Sequence, residues 1–524
     1  MENIKTIKDL LNSAAERFGD KTFIKYEKNG EMKEKSFNRL RDDAATISSM
    51  ITYMSPSGPC QVAMIGTTSY EYIAVYCGIV CAQCTAVTLD AKLGIEDLCA
   101  LIRRSDSKIV FLARDFVSYA NAILNRCPDV HCIINMHSDE SDEDTRSLRM
   151  MMRNIQRFGG PAQLINSDLK REPKPEDRAM IVFTSGTTGI SKGVMLSHAN
   201  IVHNAFCSWS EMSKDEVKLS LLPINHVTAM AGDLFNGLRF GFTVCINGPM
   251  KNLEKNLLKF KPTTMVVVPM IAESLANRVD ARFRRFKDKK KAVESVFGPN
   301  FKMLQTGGAP INPETIERYA DMGIEVCQSY GMTECTAKVS TGVCGDGHKT
   351  SCGRIVSDCQ VRVVDGELQV KSPSVMMGYY KDEENTKAAF TEDGWFRTGD
   401  IGHVEWDNGY GYIYITGRLK NLIITDNGEN VSPEELEEKI GAESVISEVV
   451  VYAKDNKIVA EILQNPDETG TEDAAEAEKI IKGAIDRINE GLPPYKRIQT
   501  IKLRDENFEK TTSGKIKRHT LDKD

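Results

Sequence analysis

The stretch Thr184-Ser185-Gly186-Thr187-Thr188-Gly189-Ile190-Ser191-Lys192-Gly193 follows an apolar run at 180–183 and leads into a second one at 194–196. Its three glycines free the backbone to turn N–H groups onto an anion. Hydroxyls add donors, and Lys192 supplies a full positive charge. Such a loop suits a polyphosphate. It is not the common G-x-x-x-x-G-K-[ST] loop, because Ser191 precedes the lysine and Gly193 follows it. The next helix begins only at Ser197, an N-cap residue. A strand, loop and strand without a helix dipole beneath the phosphates must grip them through hydroxyls and lysine. A flexible linker, the alternative reading, seldom sits between two apolar strands or carries such a lysine.

Outward from the loop, helical patterns alternate with short apolar runs at 62–65, 86–89 and 109–112, and again at 179–183, 264–268 and 303–306. This alternation predicts an α/β fold of two doubly wound subdomains, about 1–175 and 176–350. Between 351 and 418 the pattern changes to short β-runs at 360–364, 367–370 and 412–416 separated by Gly and Asp, predicting a small β-barrel-like subdomain. These three parts make an N-terminal domain of 1–418, and 419–524 read as a small mobile α+β domain. In it Ser432-Pro433-Glu434-Glu435 has the form of a capping box, so a helix starts there. The acidic stretch 467–478 reads as a solvated loop.

Of the 524 residues 41% are apolar and 27% charged, enough to give each of three or four units a core. Lys and Arg number 67 against 74 Asp and Glu, a net charge of −7, which argues against nucleic acid as a partner. The first twenty residues lack the apolar core of a signal peptide. The most apolar stretch, 72–89, is broken by Gly78 and Gln83 and predicts a buried helix and turn, not a membrane span. Fourteen irregularly spaced cysteines fit free thiols in a reducing, cytoplasmic setting. Cys77, Cys81 and Cys84 have an iron–sulfur-like spacing, but i, i+4, i+7 is also one apolar helix stripe, the reading preferred here.

The phosphate loop resembles the signature of the adenylate-forming superfamily of acyl-CoA synthetases, adenylation domains and luciferases, with Ser191 where Pro is usual. The resemblance continues in order from Thr184 to Arg518. It implies that Thr184, Ser185, Gly186, Thr187, Thr188, Gly189 and Lys192 hold the ATP phosphates. In Gln305-Thr306-Gly307-Gly308-Ala309 two glycines permit a flat ligand to approach the backbone, and the resemblance places adenine against Gly307, Gly308 and Ala309. In Gln328-Ser329-Tyr330-Gly331-Met332-Thr333-Glu334 it implies that Gln328 and Gly331 help form the nucleotide wall and that Tyr330 stacks on adenine. Thr333 would bond the α-phosphate and Glu334 hold Mg²⁺, a cation suited to carboxylate and phosphate oxygens. Asp400 and Arg418 would contact ribose, Lys420 would be the hinge, and Gly428, Glu429 and Asn430 would line the thiol tunnel. The catalytic lysine falls on Lys515, in Lys510-Thr511-Thr512-Ser513-Gly514-Lys515.

His226 matches a position beside the substrate carboxylate, with a core histidine as the alternative. Relatives that activate amino acids usually place an Asp nearby; Thr228 and Ala229 stand here, which disfavours an amino acid. The segments 417–424 and 427–430 resemble the fatty acyl-CoA ligase branch. The implied activity is activation of a carboxylic acid by ATP to acyl-AMP, followed by transfer to coenzyme A. Loading of an acyl carrier protein and a non-catalytic nucleotide-binding regulator are the alternatives. The basic run 282–291 reads as an exposed helix or loop, with a CoA-phosphate or membrane contact as the other reading.

Overall fold

A computed structural model describes residues 3–157, 171–184, 191–208, 212–343, 345–425, 429–455, 457–471, 474–510 and 516–521. An eight-stranded sheet runs in the order Gly378–Tyr379, Lys192–Ser197, Arg178–Thr184, Thr85–Leu89, Gln61–Ile65, Ser107–Leu112, Cys132–Asn135, Arg146–Ser147. It is parallel from Arg178–Thr184 onward and antiparallel at the edge that carries the phosphate-loop strands. A second sheet of thirteen strands has a parallel half, from Thr22–Lys28 through Thr243–Ile246, Val217–Ser220, Thr264–Val267 and Met303–Gly307 to Glu325–Tyr330.

The remaining strands of that sheet are antiparallel. Ser340–Thr341 and Arg354–Ile355 join it to Tyr410–Arg418, Phe396–Asp407, Glu367–Lys371 and the terminal Gln360–Val364. The β-rich segment is thus an extension of the second sheet, and Gln360–Val364 is paired on one side only among the described residues.

The division near 175 does not survive. The hairpin Thr22–Lys28/Glu31–Ser36 belongs to the second sheet, with Ile24 opposite Val244, whereas Arg178–Thr184 belongs to the first, with Ala86 opposite Met180. Helix and strand alternation identifies elements. Which strands pair across a hundred residues is decided by tertiary packing.

The cysteine stripe lies on the helix Tyr70–Cys81 and the turn after it. Cys77, Cys81 and Cys84 are all in the core, where burial raises the Cys77 and Cys81 thiols. Cys84 instead moves down to about 7, chiefly through its contact with Cys60. The basic run ends the helix Pro269–Phe286 and, after Lys287 in the left-handed region, begins the helix Lys289–Phe297. Lys289 and Lys290 there pair with Asp321 and Glu294.

The C-terminal domain is a three-stranded sheet, Ile446–Lys454, Lys457–Gln464 and Thr500–Arg504, packed by the helices Pro433–Gly441 and Ala474–Glu490 around its own core. The acidic stretch expected as a loop contributes to two helices, Pro466–Thr469 and the start of Ala474–Glu490. The helix after Ser432 forms as expected, with Pro433 in its first turn, but the capping box does not. Ser432 Oγ instead donates to Thr416 O (2.7 Å) and contacts Glu434 Oε2 (3.1 Å), fastening the helix start to the last strand of the preceding domain.

Candidate active site

The phosphate loop is held at both ends. Thr184 ends one strand and pairs with Lys192, which begins the next; Thr184 Oγ1 donates to Lys192 O (3.5 Å), and Arg104 donates to Ser191 O (2.6 Å). Ser185, Gly186, Thr187, Thr188 and Gly189 lie outside the described residues. The next helix starts after the N-cap Ser197 as expected, and Asn200 completes a capping box with it.

Lys192 does not stand alone. Its Nζ donates to Asn385 Oδ1 (2.6 Å) and sits 5.0 Å above the Tyr379 ring. The Asn385 amide is oriented by donating Nδ2 to both oxygens of Asp382 (3.0 Å each), which leaves its carbonyl for the lysine. Tyr379 pairs with Val194 on the neighbouring strand, and its hydroxyl donates to Glu334 Oε1 (3.0 Å). Burial and Glu334 hold the Tyr379 phenol above its ordinary range, so it stays a donor. Glu334 itself lies on the turn Thr333–Cys335, anchored by Met376 N donating to Glu334 O (2.7 Å). A cation, an aromatic ring and a carboxylate therefore form one array at the mouth of the phosphate loop.

A second array gathers Tyr330, Asp400 and Arg418. Asp400 and Arg418 are opposed in register on the antiparallel strands Phe396–Asp407 and Tyr410–Arg418. Arg418 Nε lies 2.6 Å from Asp400 Oδ1, and Tyr330 OH donates to Asp400 Oδ2 (2.7 Å). The Asp400 side chain is 3% exposed and that of Arg418 40%, so the pair has one buried and one solvent-facing member. An ionised carboxylate keeps acceptor sites beyond these contacts.

Gly307 ends the strand Met303–Gly307 opposite Ser329, next to Tyr330 on the neighbouring strand, and Gly308 follows it. A Cβ on Gly307 would stand 2.9 Å from Ser329 O, and Gly308 has φ +84° with nothing within 4 Å of where a side chain would begin. Ala309 beyond them is exposed. Gly331 has a different reason to be glycine: a Cβ there would fall 2.1 Å from Ala337 O, so its own chain requires it. Gln328 is turned to a separate cavity of about 380 Å³ and donates to Lys349 O (3.1 Å).

His226 precedes a continuous helical run, Val227–Ala229, Met230–Phe235 and Asn236–Phe240, whose middle is a π-helix. Such insertions are frequent at functional sites. Its Nε2 is buried without a hydrogen-bond partner among the described residues, and burial lowers the ring pKa against the opposing field of Asp90. Lys515 and Gly428 lie outside the described residues. Lys510 and Ile516, which flank the Lys515 segment, form a β-bridge, and Lys510 pairs with Glu448. Glu429 N donates to Thr425 Oγ1 (3.2 Å), and Asn430 pairs with Ile424. Lys420 is in the turn Leu419–Asn421, near Arg418, Asp400, Arg518 and Glu434.

The donor set fits a magnesium nucleotide. No group of three or more His, Cys, Asp or Glu residues suited to a metal occurs among the described residues. Glu334 alone, with phosphate oxygens and water completing the shell, is the pattern Mg²⁺ prefers. Tyr379 and Asn385, which touch Lys192 and Glu334, are candidate site residues that sequence reasoning missed. The available signal was a glycine directly before two tyrosines, Gly378-Tyr379-Tyr380; in the structure Gly378 has φ +134° and a Cβ there would stand 2.7 Å from Thr386.

The AMP-binding enzyme family matches residues 11–380, and its C-terminal domain family matches 420–524. The long-chain-fatty-acid–CoA ligase ACSBG2 of Gallus gallus is 25% identical over 520 residues, covering 88% of this chain and 67% of the relative. The long-chain-fatty-acid–CoA ligase FadD15 of Mycobacterium bovis is 31% identical over 319 residues, covering 52% of each. The chain thus spans between about half and two thirds of the length of these relatives. The anthranilate CoA ligase AuaEII in complex with anthranoyl-AMP superposes with a TM-score of 0.80 at 19% identity, over 98% of this chain and 96% of that one, a likeness of fold. With one match over residues 11–380, which holds Lys192, Glu334 and Tyr379, and another over 420–524, this chain belongs to the AMP-binding enzyme family.

Proposed function

We propose that the protein is an AMP-forming acid–thiol ligase that activates a fatty or related carboxylic acid and transfers it to coenzyme A. The observation that carries this reading is the Lys192–Tyr379–Glu334 array at the phosphate loop. A kinase-like loop would be followed by a helix; here the loop returns as a strand, and charge control passes to side chains.

A carboxylate is a poor electrophile, so joining it to a thiol requires prior activation. One of its oxygens bonds to the α-phosphorus of ATP while the bond to pyrophosphate breaks. Two anions must meet in line, which calls for fixed positive charge and orientation. Lys192, positioned by Asn385 and the Tyr379 ring, neutralises the departing phosphates. Glu334, with Tyr379 donating to it, would hold Mg²⁺, which supplies further neutralisation of phosphate charge. Asp400 and Arg418 bind ribose, Tyr330 and Gly307–Ala309 border adenine, and Thr333 bonds the α-phosphate. His226 faces the acid, and Lys515 reaches the reacting centre from the C-terminal domain.

In the second step the thiol sulfur bonds to the acyl carbon and AMP leaves. Turning of the C-terminal domain about Lys420 withdraws Lys515 and brings Glu429 and Asn430 toward the thiol path. Relatives named as long-chain-fatty-acid–CoA ligases support the fatty class of acid. The test is acid-dependent exchange of pyrophosphate into ATP, followed by CoA-dependent release of AMP. Formation of ADP and orthophosphate with a good acid substrate would overturn the reading, and turnover with a holo-carrier protein but not CoA would reassign the acceptor.

A further inference from the structure

Two cysteines meet where neighbouring parallel strands of the first sheet begin. Gln61 is opposite Thr85 in register, and Thr85 N donates to Cys60 O (3.0 Å). Cys60 and Cys84 immediately precede that pair, so they too stand side by side, about 5 Å apart at the usual strand spacing. Strand alternation puts Cys60 on the face of Val62 and Met64, and Cys84 on the face of Ala86. All five belong to or pack against one core, whereas Ala63, Ile65 and Val87 fill another on the opposite face. The two thiols therefore project from the same side of the sheet. Cys60 N donates to Cys84 Sγ (3.4 Å), and the two thiols are in contact. A Cα separation of this size lies within the range that a disulfide spans.

The Cys84 sulfur also faces a cation. Arg171 Nη1 lies 3.6 Å from it. The guanidinium is fixed there by donating Nη1 to Ser55 Oγ (3.1 Å) and Ala82 O (3.5 Å), and Nη2 to Ser55 O. Arg171 has no carboxylate partner among the described residues. A donor and a positive charge at one sulfur favour its thiolate. Cys60, Arg171 and Ser55 accordingly bring Cys84 down to about 7 against the effect of burial, while Cys60 moves up. The proton that the pair retains thus sits on Cys60. Every other described thiol displaced from its ordinary value moves up. Cys84 is buried, but Cys60 is half-buried and follows the exposed residues Pro56, Ser57 and Pro59, so the pair opens to solvent on the Cys60 side.

A second pair provides the contrast. Cys127 Sγ donates to Cys99 O (3.6 Å), and burial lifts the Cys127 thiol to about 11. Proximity is common to both pairs; only the first has a thiolate.

We propose that Cys60 and Cys84 are a site of reversible oxidation by a hydroperoxide, with Cys84 as the attacking sulfur, Cys60 as the resolving thiol and Arg171 as the positioning cation. The Cys84 thiolate sulfur bonds to one peroxide oxygen, the O–O bond breaks, and the other oxygen leaves as hydroxide. Cys84 is then a sulfenic acid. The Cys60 sulfur bonds to the Cys84 sulfur, the Cys60 proton passes to the sulfenic hydroxyl, and water leaves. The two sulfurs together lose two electrons, which the peroxide gains. A small thiol reverses the change by exchange. The inference stands independently of the ligase reading.

The experiment treats the full chain, reduced and freed of reductant, with hydrogen peroxide at neutral pH. Remaining thiols are alkylated and the proteolytic peptides are mapped by mass spectrometry. The expected result is a disulfide between Cys60 and Cys84 that forms before any other described thiol is lost and that dithiothreitol reverses, with Cys99 and Cys127 still reduced. Cys60→Ser should leave a sulfenic acid at Cys84 that dimedone captures, and Cys84→Ser should leave Cys60 unreactive. The wild-type rate should rise with pH to a plateau above about 7. Arg171→Met should slow disulfide formation about tenfold at pH about 6, as a thiol pKa higher by one unit does, and Arg171→Lys should restore part of the rate. If Arg171→Met does not fold, the wild-type map, its pH profile and the two serine variants decide the matter. Cys60 and Cys84 still free once other described thiols have oxidised, or a rate unchanged in a folded Arg171→Met protein, overturns the proposal.

Discussion

Replacing Tyr379 by Phe separates the two halves of the Lys192–Tyr379–Glu334 array. The ring remains, so the lysine keeps its seat 5.0 Å above it, and only the hydroxyl that donates to Glu334 Oε1 at 3.0 Å is lost. A hydrogen bond to a charged acceptor contributes about 1.5–3 kcal/mol. The acceptor left behind, Glu334, is only half-buried, so water can replace the lost donor and the lower half of that range applies. About 1.5–2 kcal/mol corresponds to a loss of roughly 10–30-fold in the rate constant of the step that uses Glu334. The assay is pyrophosphate–ATP exchange at saturating acid, titrated with Mg²⁺, beside thioester formation from supplied acyl-AMP. The exchange reaction should slow by this factor and need more Mg²⁺, while the thioester step, which involves no departing pyrophosphate, should keep its rate. Equal loss in both steps, or an unchanged Mg²⁺ requirement, would refute the assignment of Tyr379 as the residue that positions Glu334.

Lys515→Ala should abolish adenylate formation and spare thioester formation from acyl-AMP; equal loss of both contradicts its role. Gly331→Ala puts a methyl group 2.1 Å from Ala337 O, a backbone atom that cannot rotate away, and should destabilise the N-terminal domain by about 3 kcal/mol. A denaturant midpoint equal to the wild type's would show that the backbone there yields. Burial lifts the Glu437 carboxyl from 4.5 to about 7, over the opposing pull of Arg518 and the Val451 amide. The folded protein therefore holds this proton more tightly than the unfolded chain does. The resulting stabilisation is complete below about 4.5 and is lost as pH rises to about 7. Thermal melts of Glu437→Gln should lack that falling limb, and a limb of equal slope in the variant would assign it to other groups.

The two strands that flank the loop at 184–193 were legible because their signal is local: each apolar run is bounded within a few residues by glycines and hydroxyl residues. The helix after Ser197 was legible for the same reason, since an N-cap is a single residue, and Asn200 completes the box in the structure. The helix after Ser432 shows the limit. Its start was placed correctly, but the hydroxyl expected to cap it bonds Thr416, sixteen residues back on another domain, and nothing near Ser432 in the chain announces that partner. Pairing of the Thr22–Ser36 hairpin with Thr243–Ile246 was hidden likewise, since a strand records its two faces in its alternation but not the identity of its neighbour. Tyr379 escaped because its role depends on a strand of two residues that meets the phosphate-loop hairpin across nearly two hundred positions.

The proposed ribose seat lies on the strand Tyr410–Arg418 and the proposed hinge on the turn Leu419–Asn421 that follows it. Arg418 closes the strand Tyr410–Arg418 against Asp400, and Thr416, two residues earlier, accepts the Ser432 hydroxyl. Between them Gly417 lets the C-terminal helix lie flush, because a Cβ there would be 2.3 Å from Ser432 Oγ. The proposed turning about Lys420 would leave the Arg418–Asp400 contact intact, since both residues precede the pivot, and would break the Ser432–Thr416 bond, which crosses it. One neutral hydrogen bond contributes about 1 kcal/mol, a barrier term small enough that bound nucleotide or acyl-AMP can set which pose dominates. In the proposed mechanism the nucleotide end of the site is therefore fixed by strand pairing while Lys515 belongs to a domain held at this junction by a weak clasp, the division of labour that two successive reactions at one centre require.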